Sequence, residues 1–231
     1  MNDRPVAVVL GAGMGGRAVA LSLAQRAHVV VVDRALDLAQ AAVDPITAAG
    51  GSAEALVVDL TDLSAVAAFR DDLLERHGRV DAVIHLVGGW RGADTVDAQS
   101  IEQWNELFPG IVGTVQTTSV AFRETLATAP HGRYVMVTST AVRKPSAKNA
   151  AYASTKSAAE SWVRSLGAAF DGTDARAFIV AVTALVDQAT RDANPDRAFK
   201  GATDTTALAT AIAGLLHDDS RGSDTYLDLT A

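Results

Sequence analysis

The segment VAVVLGAGMGGR, residues 6–17, decides the fold. Five apolar residues run without polar alternation into a loop in which Gly11, Gly13 and Gly16 satisfy the pattern G-x-G-x-x-G. Continuous runs of Val and Leu are typical of strands that are buried on both faces. The Ala-rich residues after the loop have helical spacing. The segment therefore predicts a strand, a glycine turn and a helix, which is how an α/β sheet protein begins.

Six further apolar runs follow, separated by Ala-rich segments with helical spacing. They are HVVVVD (28–33), EALVVDL (54–60), DAVIHLV (81–87), RYVMVTS (133–139), RAFIVAV (176–182) and the weaker TYLDL (225–229). LSAVAAFRDDLLERHG (63–78) shows the helical pattern well, and we expect Gly78 to end that helix. Strand–helix alternation predicts one α/β domain over residues 1–231, a doubly wound Rossmann fold with a mostly parallel, seven-stranded sheet and helices on both faces.

Composition excludes several classes of protein. The chain has 231 residues, a formal net charge of −7 and no cysteine. No basic stripe is visible, so nucleic acid is not expected as a partner, and disulfides, thiolate catalysis and cysteine metal sites are excluded. No apolar run approaches the roughly 20 residues of a membrane span, and the glycine loop begins too early for a signal peptide. We expect a cytoplasmic protein without a membrane partner. The five histidines show no metal-ligand spacing, so no metal is expected.

The glycine loop, placed between a strand and a helix, predicts a dinucleotide site. Glycines let the backbone approach a pyrophosphate, and the helix N-terminus offers N–H groups and a positive dipole end. Asp33 ends the next strand, where a carboxylate can bind the adenosine ribose hydroxyls and repel a 2′-phosphate. NAD(H) is therefore the expected cofactor. NADP(H) is not excluded as the cofactor, because the guanidinium of Arg34 could reach a 2′-phosphate. The same side chain could instead stack on adenine or lie in solvent. The alternative to all of this is a glycine turn without function.

Asp59 follows the third predicted strand and has two readings. Its carboxylate could accept a hydrogen bond from the adenine amino group. It could instead be the N-cap of the following helix, a position for which Thr61 and Asp62 compete.

A second motif, AYASTKSAAESW (151–162), carries Tyr152 and Lys156 one helical turn apart. Ser139 ends a strand thirteen residues before the tyrosine. A free tyrosine has a pKa near 10, and a neighbouring ammonium lowers that value. Acid–base catalysis works best when the pKa of the acid lies near the working pH. The pair is therefore predicted to be a tuned acid; the alternative is a surface Tyr and Lys.

The glycine loop, the strand-end Ser and Tyr-x-x-x-Lys, in this order, resemble the short-chain dehydrogenase/reductase family over essentially the whole chain. The resemblance implies hydride transfer between a nicotinamide and a carbonyl or conjugated C=N substrate. Tyr152 would be the general acid/base, Ser139 would hold the substrate carbonyl, and Lys156 would bind the nicotinamide ribose. It also implies a homodimer or homotetramer, formed through helices near 101–127 and 150–170. The cofactor-binding residues that it implies are Gly11, Gly13, Met14, Gly15, Gly16, Asp33, Arg34, Asp59, Leu60, Val87, Gly88, Tyr152, Lys156, Thr183 and Val186.

The chain departs from the usual family pattern at four places. His85-Leu86-Val87-Gly88 replaces the usual Asn-Asn-Ala-Gly, and Thr183-Ala184 replaces Pro-Gly. Arg17 replaces the last glycine of the loop, and Ile111 replaces an Asn that feeds a proton relay. VGGW (87–90) and AVTALVDQATRD (181–192) resemble the dihydropteridine reductase branch, which lacks the serine. The missing relay Asn motivates a second hypothesis, a catalytically idle NAD(H)-binding sensor or subunit.

Candidate substrate residues each keep two readings. His85 is either a replacement acid or a buried, hydrogen-bonded side chain. Trp90 either stacks on a planar substrate or covers apolar surface. Arg143, with Lys144, either attracts an anionic substrate or lies in a solvated loop. Residues 187–204 form either a substrate lid or an ordinary polar loop.

Overall fold

The apolar runs of the sequence form the strands of one parallel sheet. The computed structural model describes residues 4–218, 222 and 225–230. The strands are β1 (Val6–Leu10), β2 (His28–Asp33), β3 (Ala53–Val57), β4 (Ala82–His85), β5 (Arg133–Ser139), β6 (Arg176–Val182), β7 (Leu185–Val186), β8 (Thr203–Asp204) and β9 (Thr225–Asp228). Seven of them form a parallel sheet in the order β3-β2-β1-β4-β5-β6-β9. This is the doubly wound, seven-stranded fold that the sequence predicts.

Helices connect successive strands. They are α1 (Met14–Leu23), α2 (Leu36–Ala48), α3 (Leu63–His77), α4 (Ala98–Phe108), α5 (Thr114–Thr128), α6 (Ala150–Ala169), α7 (Gln188–Asp192) and α8 (Thr205–Leu215). The predicted stop of α3 is confirmed, because Gly78 has φ +76° at its C-cap. Asp62 caps the other end of α3 and accepts the Ser64 N–H at 2.8 Å. Among the described helices, none is both long and apolar enough to cross a bilayer.

Helices cover both faces of the sheet, which explains why the strands lack polar alternation. Val8, Val30 and Val83 contribute to the core under α3 to α6. Val9 and Val31, which alternate with them, contribute to the core under α1, α2 and α8. A strand that is buried on both faces must be apolar at every position.

Three predicted strands end earlier than the sequence suggests. The strand predicted over residues 54–60 ends at Val57. The strand predicted over residues 81–87 runs only from Ala82 to His85. The predicted 225–229 ends at Asp228. One bond to the neighbouring strand continues past β4 and one past β9, where the Leu86 N–H donates to the Leu10 carbonyl at 2.8 Å and the Leu229 N–H donates to the Ala181 carbonyl at 3.0 Å. The chain then leaves the sheet at its carboxyl edge. The two-residue strands β7 and β8 form a separate small sheet, and they are too short to give a periodic pattern.

The segment predicted as one long helix near 101–127 is interrupted. Residues Pro109–Gly113 form a π-helical turn between α4 and α5. Proline has no N–H to donate into the helix ladder, and the Thr114 N–H bonds the carbonyl of Pro109, five residues back. Ile111 lies in this turn and is buried in the core. π-Bulges of this kind often occur at functional sites.

Candidate active site

The carboxyl ends of the strands meet a cleft of about 950 Å³. Ligands of open α/β sheets bind at this edge, next to the point where the strand order reverses. Here that point lies between β1 and β4. The residues that line the cleft include Trp90, Ser139, Arg143, Tyr152 and Thr183. The structure thus gathers at one sheet edge residues that are far apart in the sequence.

The glycine loop is shaped by close backbone contacts. Gly11 has φ +98°, and a Cβ there would lie 3.1 Å from the Val87 nitrogen. A Cβ at Gly16 would lie 1.8 Å from the carbonyl oxygen of Gly11, which no side chain can occupy. Gly15 packs against Leu185 at the inner side of α1. The glycines at 11 and 16 therefore fold the loop, and they place its backbone against the end of β4.

Gly13 differs from the other loop glycines. It is the N-cap of α1, it is exposed, and a Cβ there would meet nothing within 4 Å. Met14, the first residue of α1, is partly exposed beside it. The open space therefore lies at the N-terminus of α1, where backbone N–H groups and the helix dipole favour an anion.

Asp33 holds the glycine loop as well as ending β2. Its Oδ2 accepts the Ala12 N–H at 2.8 Å, and its Oδ1 accepts the Ala35 N–H at 3.3 Å. Arg17 holds the same loop residue from the other side, because its Nε donates to the Ala12 carbonyl at 3.1 Å. Arg34 is exposed. The carboxylate is thus fixed beside the loop, with the exposed side chain of Arg34 next to it in sequence.

Asp59 is not a helix cap, since Asp62 caps α3. Asp59 is exposed and accepts both the backbone N–H and the hydroxyl of Thr61, at 2.9 and 2.6 Å. The hydroxyl of Thr61 lowers the pKa of Asp59 below its usual value. The Leu60 side chain is buried, and its carbonyl accepts the Thr117 hydroxyl. The reading of Asp59 as an adenine contact stays a prediction.

Ser139 and Tyr152 meet in the cleft. Ser139 is the last residue of β5, and Tyr152 lies in the first turn of α6. Both side chains line the cleft. Partial burial raises the pKa of Tyr152, and the neighbouring Ser139 hydroxyl opposes that rise. The sequence predicts a lowered pKa for Tyr152, whereas in this structure the pKa of Tyr152 is raised.

Lys156 explains the difference. Its ammonium donates to the Val137 carbonyl at 3.0 Å, so in this structure it is hydrogen-bonded to the backbone of β5 and not to the phenol. Burial lowers the pKa of Lys156 to about 8, against an opposing effect of Glu160. A Cβ at Gly88 would lie 3.4 Å from the Lys156 Nζ, so the glycine leaves room for the ammonium. Lys156 is a buried cation one helical turn below the tyrosine, and the cleft side of Tyr152 stays open.

His85 is buried, with an exposed fraction of 1%. The Thr114 hydroxyl donates to the Gly110 carbonyl at 2.9 Å, so it must accept the His85 Nε2–H at 3.0 Å. His85 Nδ1 is left as an acceptor, with no hydrogen-bond partner among the described residues. Burial, together with the Lys156 charge, lowers the pKa of His85 to about 3. The burial and the Thr114 hydrogen bond support the reading of His85 as a buried, hydrogen-bonded side chain over that of a replacement acid.

Trp90 and Arg143 both border the cleft. Trp90 is 64% exposed, and its six-membered ring approaches Gly92. Arg143 lies over the Tyr226 ring at 4.0 Å, and its Nη1 is 3.9 Å from the Asp228 carboxylate. The Arg143 charge is therefore partly balanced before any substrate arrives. Sequence reasoning missed both partners, because β9 gives only a weak pattern.

Residues 187–204 are anchored at both ends. Asp187 caps α7 and accepts the Thr190 N–H at 2.8 Å. At the other end β8 pairs with β7, and the Thr183 N–H donates to the Thr203 hydroxyl at 3.1 Å. The Val186 side chain is fully buried in β7. Residues 193–202 connect α7 to β8, and within them the Phe199 ring contacts the guanidinium groups of Arg191 and Arg197.

The doubly wound parallel sheet and the glycine loop define a Rossmann-type α/β protein. The chain belongs to the short chain dehydrogenase family, whose model matches residues 5–198.

Similar proteins include enzymes and solved structures. The chain is 30% identical over 164 residues to the 2,3-dihydro-2,3-dihydroxybenzoate dehydrogenase of Bacillus subtilis, covering 70% of this chain and 62% of that protein. A metagenomic short-chain oxidoreductase, crystallised with NADP, superposes with a TM-score of 0.82 at 26% identity, covering 98% of this chain and 97% of the other. NAD⁺-bound xylitol dehydrogenase gives a TM-score of 0.84 at 20% identity over 97% of each chain, which shows the fold alone. The chain spans less than two thirds of the length of the curated relatives it matches first.

Proposed function

We propose that the protein is an NAD(P)(H)-dependent oxidoreductase that reduces a carbonyl or conjugated C=N group, or oxidises the corresponding alcohol or amine. The observation that carries this proposal is that Ser139 and Tyr152 line one cleft at the same sheet edge as the glycine loop. Family membership supports it, since the relatives are named as dehydrogenases and reductases.

The residues at the glycine loop fit a dinucleotide. The open space at Gly13 and the N-terminus of α1 suit a pyrophosphate. Asp33, fixed at the end of β2, suits ribose hydroxyls. Residues at the sheet edge that would complete the cofactor site are Gly11, Met14, Gly15, Gly16, Arg34, Asp59, Leu60, Val87, Gly88, Thr183 and Val186. The nicotinamide supplies hydride chemistry when it is bound.

Tyr152 holds the proton of the reaction. With its pKa raised, the phenol is protonated at neutral pH and can donate a hydrogen bond to a substrate oxygen or nitrogen. Ser139, which lines the same cleft, would orient the reacting group. Lys156 is a cation held one turn away. Its field would stabilise the phenolate that forms when the proton is transferred, and it would bind the nicotinamide ribose.

The reaction is testable with purified protein. We expect NADH oxidation in the presence of at least one class from a panel of ketones, quinones and quinonoid pterins. The pterin is included because VGGW and the Val-Thr pair resemble the dihydropteridine reductase branch. The presence of Ser139 beside Tyr152 in the cleft supports the ordinary arrangement of the family instead, so ketones are tested first. No oxidation with any class, at cofactor saturation, would count against the proposal.

The main alternative is an idle NAD(H)-binding sensor or subunit. It is favoured by the engagement of Lys156 with Val137 and by the core position of Ile111, where the family has a relay Asn. Cofactor binding without turnover on the panel would support it.

NADH is proposed to bind more tightly than NADPH, because the Asp33 carboxylate would repel a 2′-phosphate. Asp33→Asn removes the charge and keeps an oxygen that can accept the Ala12 N–H. We expect this variant to shift the ratio of the two dissociation constants toward NADPH by about tenfold, equivalent to about 1.4 kcal/mol. Arg34 is left in place to receive the phosphate. Fluorescence titration of both cofactors checks the ratio, and tighter NADPH binding by the unaltered protein would contradict the assignment.

Ile111 is predicted not to take part in turnover. Ile111→Asn would place an amide in the core, where an unpaired polar group costs roughly 1–3 kcal/mol. We therefore expect lower stability in urea and no gain in rate per folded molecule. Ile111→Val, which costs about 0.5–1.5 kcal/mol, is the matched control. A several-fold rise in turnover with Ile111→Asn would show that the chain is an impaired member of the family.

Three further assignments complete the proposal. A homodimer or homotetramer would use α4, α5 and α6, where the apolar side chains Ile101, Val120 and Trp162 are exposed. Residues 187–204 would act as a substrate lid. Trp90 and Arg143 would contact the substrate from the rim of the cleft. A cytoplasmic location stays a prediction from the sequence.

A further inference from the structure

A cluster of two histidines and a glutamate lies at the opposite edge of the sheet from the cleft. His28 begins β2, Glu54 is the second residue of β3, and His77 is the last residue of α3. The three are separated by more than twenty residues in sequence, which is why no metal-ligand spacing is visible. The pairing of β2 with β3 and the return of α3 bring them together.

The geometry of this cluster suits a small divalent cation. His28 Nε2 lies 3.2 Å and His77 Nε2 lies 2.9 Å from the same carboxylate oxygen, Glu54 Oε1. One ligand atom from each residue can be chosen so that all lie within 4.8 Å of one another. In a tetrahedral zinc site, ligands at 2.0–2.2 Å from the metal are roughly 3.3 Å apart. The three atoms thus need only small movements to surround one ion.

The ring of His28 is held from behind. Its Nδ1 is hydrogen-bonded to the Ser52 hydroxyl at 2.7 Å, so Nε2 is the nitrogen that faces the cluster. Histidines that bind metals usually have their other ring nitrogen anchored in this way. The side chains of His28 and His77 are only 10% and 15% exposed, whereas that of Glu54 is 26% exposed. Water can therefore reach the cluster and supply a fourth ligand.

Arg76 is the competing cation. Its Nη1 lies 2.8 Å from both oxygens of Glu54 and 3.2 Å from His77 Nε2. The same guanidinium is also held by Asp72, through Nε at 2.9 Å and Nη2 at 2.8 Å. If the Arg76 guanidinium loses its contact with Glu54, it can remain hydrogen-bonded to Asp72. The arginine would then weaken metal binding without blocking it.

We propose that His28, Glu54 and His77 form a zinc site, with water as the fourth ligand, that ties β2, β3 and α3 together. Imidazole nitrogens with one carboxylate oxygen are a ligand set that zinc accepts in proteins, and magnesium prefers oxygen ligands alone. The site lies at the opposite edge of the sheet from the cleft, so the ion would not touch the substrate proposed to bind there.

The test is zinc titration of the tag-free full chain after treatment with a chelator, read by competition with a fluorescent zinc indicator. We expect one zinc ion per chain and a rise in Tm on saturation, because the ion binds the folded state. His77→Gln and Glu54→Gln should each weaken binding at least about tenfold and abolish the rise in Tm. His217→Gln, at an exposed histidine outside the cluster, is the matched control and should change nothing.

Arg76→Gln separates the zinc site from a simple ion-pair network. Removing the competing guanidinium should tighten zinc binding, whereas a cluster built only to pair with Arg76 would gain nothing. Circular dichroism confirms that each variant is folded, and magnesium serves as the negative control ion. The proposal is overturned if the unaltered chain binds no zinc, if His77→Gln binds it equally well, or if Arg76→Gln fails to tighten it.

Discussion

Turnover is expected to fall roughly 100- to 10,000-fold when Tyr152 is replaced by Phe, which is the usual range for loss of a general acid. Tyr152→Phe keeps the ring and its packing at the start of α6, but it removes the only atom of that side chain that can give a proton. Cofactor binding should persist, because the phenol hydroxyl contributes to the chemistry and not to the glycine loop. Steady-state NADH oxidation and cofactor titration, measured on the same preparation, separate the two effects.

Tyr134→Phe is the matched control for this variant. Tyr134 is fully buried in β5, and its hydroxyl is 2.9 Å from that of Thr118, outside the cleft. Burial raises the pKa of this phenol beyond any physiological pH. Loss of its hydrogen bond should cost about 1 kcal/mol of stability and leave turnover per folded molecule unchanged. Near-normal turnover in folded Tyr152→Phe would mean that another group supplies the proton.

The second large effect is expected at the glycine loop. Gly16→Ala would place a methyl group 1.8 Å from the Gly11 carbonyl oxygen, in backbone that cannot yield without moving α1 or the loop. Overpacking in a core typically costs 1–3 kcal/mol and occasionally more, and we expect this variant to lie at or beyond the upper end. Cofactor binding should be lost together with stability. Thermal melts and cofactor titration measure the two losses.

Gly13→Ala tests cofactor binding separately from stability. Its φ of −65° suits any residue, and a Cβ would meet open space. Stability should therefore stay close to that of the unaltered chain. Cofactor binding should weaken, because the methyl group would project into the space proposed for the pyrophosphate. If Gly13→Ala binds cofactor as tightly as the unaltered chain, the dinucleotide does not lie at the N-terminus of α1.

The fold was predictable from the sequence because buried parallel strands carry an unbroken apolar pattern. β1, β2, β5 and β6 begin and end at the predicted residues. β3 and β4 are shorter than predicted, because Val58 and Val87 remain apolar after the ladder has ended. Apolar character reports burial, and Val58 and Val87 are still partly buried against the core after the strands have ended.

The site was predictable only in part. Ser139 and Tyr152 meet as the spacing suggests, since a strand end and the next helix start must lie at one sheet edge. The state of Lys156 could not be predicted, because its hydrogen bond to Val137 depends on where α6 packs against β5. The burial of His85 likewise depends on α5, which supplies Thr114. Contacts between helices and strands distant in sequence leave no local pattern.

One measurement tests the central claim directly. The chain is incubated with NADH deuterated at the transferable position of its nicotinamide ring and with the substrate class that gives oxidation, and the product is analysed by mass spectrometry. The account predicts one deuterium in the product for the unaltered chain and for Tyr134→Phe, and very little product for Tyr152→Phe. Tight NADH binding without deuterium in any product of the panel would contradict it, and would leave a protein that binds the cofactor and does no chemistry.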